Sequence, residues 1–254
     1  MISLAGKAAL ITGGSRGIGA ACVRLFARAG ADIVFSYNRD SASAERVAQE
    51  SRRHGTRVEF FRADLARMSP AEKLVKFAHE RLGRLDILVA NAGIWNVEDL
   101  PIEKMSERDW DHMMAVNLKS VYSVIHFAVP HMIRQRSGRI VAVSSTAGQR
   151  GEALHSHYGA TKGAVISLVK GLSTELAPHN VLVNSVAPGW VDTDMSKPVF
   201  KDKKALKQIL EKQPLGRVAT AEECAGPILF LASDLASFIT GEILNVNGGS
   251  VLCG

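Results

Sequence analysis

Seven short apolar runs, at residues 7–11, 32–37, 57–61, 86–90, 139–143, 181–186 and 242–246, alternate along this chain with stretches of helical periodicity. No other feature restricts the fold as much. Apolar runs of strand length read as strands buried on both faces. A helix between successive strands supplies the cover for those faces. The expected structure is α/β: a single-domain, doubly wound parallel sheet of about seven strands with helices on both faces. Right-handed crossovers bring the segments that follow the strands to one end of the sheet, the end where open α/β sheets bind ligands. With 254 residues and 46% hydrophobic composition, the chain has enough material for one such domain, residues 1–254.

The first run leads directly into Thr12-Gly-Gly-Ser-Arg-Gly-Ile-Gly19, and a helical stretch from Ala20 to Ala29 follows. Gly13, Gly17 and Gly19 read G-x-x-x-G-x-G, with Ser15, Arg16 and Ile18 between them. Strand, glycine turn and helix in that order mark a nucleotide-binding element. Glycine lets the backbone approach a pyrophosphate closely, and the helix start offers free N–H groups and the positive end of a dipole. The second run ends at Tyr37-Asn38-Arg39, with no carboxylate until Asp40. An acid at that point would bind the 2′-hydroxyl of a ribose and favour NAD(H). Arg39 and Arg16 instead suit a 2′-phosphate, which guanidinium groups hold through paired hydrogen bonds. NADP(H) is therefore expected in preference to NAD(H).

Tyr158 and Lys162 stand four apart at the start of a long helical stretch near 156–177, so they share one helix face. A free phenol has a pKa of roughly 10, and a neighbouring ammonium lowers it. The pair is expected to act as a general acid/base near neutral pH.

In their order and spacing, Thr12-Gly13, Gly17-Ile18-Gly19, Asn91-Ala92-Gly93, Asn117, Ser145, Tyr158, Lys162 and Pro188-Gly189 resemble the short-chain dehydrogenases/reductases, from about residue 4 to residue 250. Within that family the chain looks most like the 3-oxoacyl-[acyl-carrier-protein] reductases, through Gly138-Arg-Ile-Val, Val183-Asn-Ser-Val-Ala-Pro-Gly189, Thr193-Asp-Met195, Phe230-Leu-Ala-Ser-Asp234 and Ile239-Thr-Gly-Glu-Ile-Leu-Asn-Val-Asn-Gly-Gly249. The resemblance implies a Rossmann-like fold and a set of roles. Tyr158 would donate the proton in carbonyl reduction, and Lys162 would lower its pKa and hold the nicotinamide ribose. Ser145 would bind the substrate carbonyl, with Ser144 supporting the strand end. Asn117 would hold a water that continues the proton relay. Asp64 and Leu65 would contact the adenine, and Asn91, Ala92 and Gly93 the adenosine ribose and its backbone. Pro188, Gly189, Val191 and Thr193 would border the nicotinamide. Residues 189–215, with a helix near 203–212, would form a substrate lid carrying Val199, Phe200, Leu206, Ile209 and Leu210. Helices near 106–136 and 156–177, rich in small residues such as Gly159, Ala160, Gly163 and Ala164, would make a dimer interface within a homotetramer.

A formal charge of +6 and a pI near 9.3 first suggest nucleic acid. The basic residues are spread along the chain, however, and no arginine–aromatic motif accompanies them, so no nucleic-acid partner is expected. The denser groups, Arg134, Arg136 and Arg139, then Lys201, Lys203, Lys204 and Lys207, could steer an anionic thioester or an acidic acyl carrier protein. By resemblance Arg136 matches a carrier-docking position, while the second such position holds His179. Cys22, Cys224 and Cys253 form no C-x-x-C pattern, so they read as idle thiols. His155 and His157 have no third ligand beside them, and no metal is expected. No apolar stretch reaches the ~18 residues of a membrane span, and the first strand starts too early to follow a signal peptide. A cytoplasmic protein without a membrane partner is expected. Gly226-Pro227 suggests a helix that kinks or starts late. The leading functional expectation is NADPH-dependent reduction of a 3-oxoacyl thioester. The alternatives are a dehydrogenase or reductase of a sugar, steroid or other small alcohol, and a non-catalytic NADP-binding sensor or scaffold.

Overall fold

The computed structural model describes residues 2–252; Cys253 lies outside them. The seven expected strands are present: β1 (Ala8–Ile11), β2 (Asp32–Tyr37), β3 (Val58–Arg62), β4 (Ile87–Ala90), β5 (Gly138–Val143), β6 (Val181–Pro188) and β7 (Ile243–Val246). They form one sheet in the order β3-β2-β1-β4-β5-β6-β7, and every pairing is parallel. The strand order reverses between β1 and β4, which leaves a crevice at the carboxyl ends of those two strands.

Alternation within each buried strand sorts its side chains to the two faces. Ala9, Ile11, Ile33, Phe35, Ile87, Val89, Val141 and Val143 join a core with Val23 and Phe26 of α1 (Gly17–Arg28), Val47 of α2 (Ser41–Arg52) and Ile228 of the helix at Ala221–Ala232. Leu10, Val34, Leu88, Ile140 and Val183 face the other way, onto Leu74 of α3 (Met68–Leu82) and residues of two later helices, Val124 and Val169. Both faces of the sheet are covered, so its strands carry no polar face.

Four local features differ from expectation. The first helix starts at Gly17 rather than Ala20. The expected helix over 106–136 is three pieces: α4 (Glu107–Met114), a wide π turn (Ala115–Lys119) and α5 (Ser120–Gln135). Such single-turn widenings recur at functional sites, and this one has Asn117 at its centre. After α6 (Thr146–Arg150) and α7 (Ser156–Leu176) come two helices in the 189–215 segment, α8 (Lys197–Phe200) and α9 (Lys203–Glu211). Finally, α10 (Ala221–Ala232) does not start late despite Pro227. Thr220 and Glu223 form a reciprocal capping box at its first turn, and Arg217 pairs with Glu223 at 2.6 Å, which anchors the helix well ahead of the proline.

The small residues of α7 also serve a purpose other than the expected one. A Cβ on Gly159 would lie 3.3 Å from the Ala147 carbonyl, one on Gly163 would lie 3.2 Å from the Gly148 carbonyl, and one on Gly148 would come within 2.5 Å of the Lys162 backbone. These glycines let α6 and α7 touch backbone to backbone within one chain. Among the described residues, no helix is long and apolar enough to cross a membrane.

Candidate active site

Lys162 is 4% exposed, deep in α7, and its Nζ donates to the Val143 carbonyl at 2.8 Å. Burial lowers its pKa to about 8. Tyr158, one turn earlier, hydrogen-bonds with the Ser145 side chain, and its ring centroid lies 5.8 Å from Lys162 Nζ. Burial drives the Tyr158 phenol up to about 12, the nearby Glu152 carboxylate adds to the rise, and the Ser145 hydrogen bond opposes it. In the protein on its own, the rise from burial outweighs the lowering by the Ser145 hydrogen bond. The shared helix face brings the two residues together, but the ammonium is committed to Val143 and desolvation dominates.

Ser145 caps α6, its Oγ accepting from the Ala147 N–H at 3.1 Å. Ser144 is buried, and its hydroxyl donates to the Lys162 carbonyl at 2.8 Å. One serine faces the site while its neighbour bolts the end of β5 to α7. Asn117 is fully buried; its Oδ1 accepts from Ile94 N–H at 2.7 Å and its Nδ2 donates to the Ile94 carbonyl at 2.8 Å. The π turn thus fixes the loop after β4 through one side-chain amide. Gly93 lies between Asn117 and Lys162: a Cβ there would sit 3.2 Å from Asn117 Oδ1 and 3.6 Å from Lys162 Nζ.

The crevice at β1 and β4 is assembled around Thr12, whose buried Oγ1 accepts from the N–H groups of Asn91 and Ala92 at 2.9 Å each. Asn91 Nδ2 donates to the Thr12 carbonyl at 2.9 Å. Gly13 and Gly14 donate to Ser36 Oγ and the Ser36 carbonyl, which ties the glycine turn to β2. A Cβ on Gly19 would lie 2.1 Å from the Gly13 carbonyl, so no other residue closes this turn without moving the backbone. At the start of α1, the Arg16 side chain makes no capping bond and the first turn holds no acid. The first helical hydrogen bond there runs from Ala20 N–H to the Arg16 carbonyl, so the N–H groups ahead of Ala20 have no helical acceptor. An uncapped, acid-free helix start beside a glycine turn fits a pyrophosphate. Ser15 and Ile18 complete that turn, and both are partly buried.

The other expected binding residues border the same edge. Tyr37 is partly buried and Asn38 and Arg39 are exposed at the end of β2, as is Arg16 across the turn. Asp40 caps α2 by accepting from Ser43 N–H at 2.9 Å, so the nearest carboxylate already has a structural task. Asp64 is exposed and Leu65 buried, just past β3. Pro188 ends β6, Gly189 packs against Asn247, and Val191 is buried. Thr193 reaches over α1, its Cγ2 lying 3.3 Å from where a Gly17 Cβ would be. Arg136 and His179 are not part of this assembly. They precede β5 and β6, at the opposite end of the sheet.

Sequence reasoning missed two contributors, Gly14 and Gly148, and the backbone conformation of a third, Leu154. Gly14 passes so close to Phe35 that a Cβ would sit 2.7 Å from the ring. Gly148 carries the α6–α7 contact described above. Leu154 adopts a left-handed backbone, φ 63°, just before His155, and its carbonyl accepts from Leu100 N–H at 2.9 Å. A leucine in that region is strained. Only the spare glycines of Thr12-Gly-Gly and Thr146-Ala-Gly hinted at the first two; Leu154 left no signal in the sequence.

A family model described as enoyl-(acyl carrier protein) reductase matches residues 13–250. The 3-oxoacyl-[acyl-carrier-protein] reductase of Thermotoga maritima is 38% identical over 249 residues, covering 98% of this chain and 99% of that protein. The protein of the same name from Aquifex aeolicus is 40% identical over 252 residues, 98% of each. Among solved structures, a putative short-chain alcohol dehydrogenase from Sinorhizobium meliloti superposes with a TM-score of 0.93 at 33% identity, covering 98% of this chain and 97% of that one. Levodione reductase superposes at 0.92 with 28% identity, covering 96% and 97%.

Proposed function

The chain belongs to the short-chain dehydrogenase/reductase family, as an NAD(P)-dependent oxidoreductase acting on CH–OH and C=O groups, and from that premise we propose that it reduces the ketone of a 3-oxoacyl thioester with NADPH. The observation that carries this reading is the meeting of Ser145, Tyr158 and Lys162 beside Gly93 and Asn117 at the carboxyl ends of the strands. A bound nicotinamide cofactor supplies the hydride and its electron pair to the carbonyl carbon. The Ser145 and Tyr158 hydroxyls donate to the carbonyl oxygen as negative charge develops on it. The O–H bond of Tyr158 then breaks, its proton goes to that oxygen, and the product is a secondary alcohol. A phenol held near 12 stays protonated at neutral pH and so remains an acid until charge appears beside it. Lys162 titrates near neutrality and can restore the tyrosine proton.

Exposed Arg16 and Arg39, with Asp40 committed to capping α2, support a 2′-phosphate over a bare ribose. The 189–215 segment is the substrate lid in this reading. Its two stems meet where Asp192 N–H and the Trp190 carbonyl pair with the backbone of Ala219, and Leu206, Ile209 and Leu210 are half-buried while the α9 lysines face outward. A homotetramer would cover Tyr122 on α5 and Leu235 and Phe238 beyond α10, which are exposed in the single chain.

Oxidation of NADPH and of NADH, each with acetoacetyl-CoA, tests the reading. Turnover is expected with NADPH and much less with NADH, and Arg39→Ala should raise the KM for NADPH. No turnover with either cofactor rejects the thioester substrate, and faster turnover with NADH rejects the arginine argument.

A further inference from the structure

Among the described residues, seven buried side-chain polar atoms lack a hydrogen-bond partner, and four lie in the segments that frame Tyr158: His157 Nδ1 and three acceptor atoms, Asn96 Oδ1, Gln149 Oε1 and His155 Nε2. In each of the last three residues the donor end is already used. Asn96 Nδ2 donates to the Glu98 carbonyl at 2.7 Å, Gln149 Nε2 donates to Asn245 Oδ1 at 2.7 Å, and His155 Nδ1 faces the Ala153 carbonyl at 3.3 Å. A carbonyl only accepts, so His155 Nδ1 carries the proton and Nε2 presents a lone pair. This side of the site therefore offers acceptors in want of donors.

His155 is the best placed of the three. It is 5% exposed and sits at the N-cap position of α7, three residues before Tyr158. Its ring stacks on Trp95 with centroids 4.8 Å apart. Trp95 meets Trp190 edge-on at 5.8 Å, and Trp190 meets Phe200 of α8 at 5.7 Å. Trp95 follows Gly93 by two residues and Trp190 follows Gly189, so this aromatic wall grows out of the backbone around Lys162 and the end of β6. It runs from the body of the protein to the lid.

The donor that would meet His155 follows from the substrate's own chemistry. The 3-oxoacyl thioester group has two carbonyl oxygens and a sulfur, and no N–H or O–H. The nearest donor on a carrier-borne or CoA thioester is the amide N–H two methylenes beyond the sulfur. We propose that His155 Nε2 accepts a hydrogen bond from that amide N–H, with the flanking methylenes packed on Trp95 and Trp190, so that His155 is a specificity-determining residue for the thioester arm. This rests on the carbonyl-reductase reading above. A ketone that lacks the donor leaves this buried acceptor unpaired, as it is in the free protein, and forgoes the hydrogen bond.

The test uses two acetoacetyl thioesters of one shape: the N-acetylcysteamine thioester, which has the amide N–H, and its analogue with an ester oxygen in place of that N–H. The wild-type enzyme should favour the amide by about tenfold in kcat/KM, the worth of one neutral hydrogen bond. In His155→Phe, which keeps a ring for Trp95 but lacks the acceptor, that ratio should fall towards one. His155→Gln, which can return an acceptor oxygen, should restore part of it. Equal kcat/KM for the two thioesters with the wild type overturns the proposal and leaves the thioester reading standing, a result that needs no variant to fold. An undiminished ratio in His155→Phe also overturns it. Turnover of neither thioester removes the thioester reading, and this proposal with it.

Discussion

The two ends of the one sheet are built on opposite rules. At the amino ends of the strands, Asp86 is 4% exposed and fully engaged: it accepts from Ala8 N–H at 2.9 Å and from two nitrogens of Arg84 at 2.7 Å each. Gln135 exchanges hydrogen bonds with both backbone groups of Leu85, and Asn180 bridges to the Gly138 N–H and the Arg136 carbonyl. Ser51 Oγ, Thr56 Oγ1 and Arg139 Nε are unpaired there, but they lie apart, at the end of α2, in the bend before β3 and on β5, and adjoin no catalytic residue. At the carboxyl ends, a buried lysine and a tyrosine carry pKa values pushed in opposite directions, α1 starts without a side-chain cap, and Asn96, Gln149 and His155 each leave a buried acceptor unpaired. Where polar groups are satisfied the chain gains stability, and where they are left wanting it has room for a ligand.

The sharpest way to break this contrast is to change one residue at each end. Tyr158→Phe should lower kcat by about a thousandfold, within the range for a lost general acid. Its melting temperature should hold, because the ring still fills its place. Steady-state kinetics beside a thermal melt checks this, and activity within a few-fold of wild type would show that Tyr158 is not the acid. Asp86→Ala should do the reverse. It strands the Ala8 N–H and removes the Arg84 pair, at a cost of about 2 kcal/mol, while kcat/KM of the folded enzyme is retained. Urea unfolding measures it, and an unchanged midpoint would mean that the amino end is not the stabilising one.

A smaller effect separates the ends by pH. Burial holds the Lys162 pKa at about 8 in the folded protein, against an ordinary value of 10.5. The unfolded chain therefore binds that proton more tightly, so burial of Lys162 costs stability most below pH 8, and the cost fades as the pH rises from 8 towards 10.5. Tyr158 has the opposite sign: its contribution is intact below pH 10 and is lost as the pH climbs through about 12. Of these two groups, only the lysine acts between pH 8 and 10, and the buried thiols of Cys22 and Cys224 are common to the wild type and the variant. The melting temperature of the wild type, minus that of Lys162→Met, should rise across that window. A flat difference would mean that Lys162 keeps an ordinary pKa in the folded protein.

Most of the scaffold was legible from order and spacing. The apolar runs located all seven strands, and the first glycine turn located the crevice, because strand burial and close backbone approach each restrict residue type. The site was legible as a set of residues but not as a set of interactions. Lys162 Nζ donates to the Val143 carbonyl, a contact that its spacing from Tyr158 does not show. Both ends of the Asn117 side-chain amide grip Ile94, a contact that its place in the sequence does not show. Gly159 and Gly163, whose small size suits a close helix contact, meet α6 within the chain. In each case the partner is a backbone group from a distant segment, which the periodicity of the element carrying the residue does not reveal.

The sequence by itself determined the parallel α/β architecture, the uncapped glycine turn at α1, and which side chains gather at the carboxyl ends of β4, β5 and β6, since each follows from local patterning and the handedness of crossovers. Only the tertiary structure decided the protonation of those side chains and the polarity of the wall around them. Burial, which raises Tyr158 and lowers Lys162, and the unpaired acceptors of Asn96, Gln149 and His155 arise where four separate segments pack together. Desolvation and hydrogen-bond satisfaction belong to that packed whole and have no value in the chain read one residue at a time.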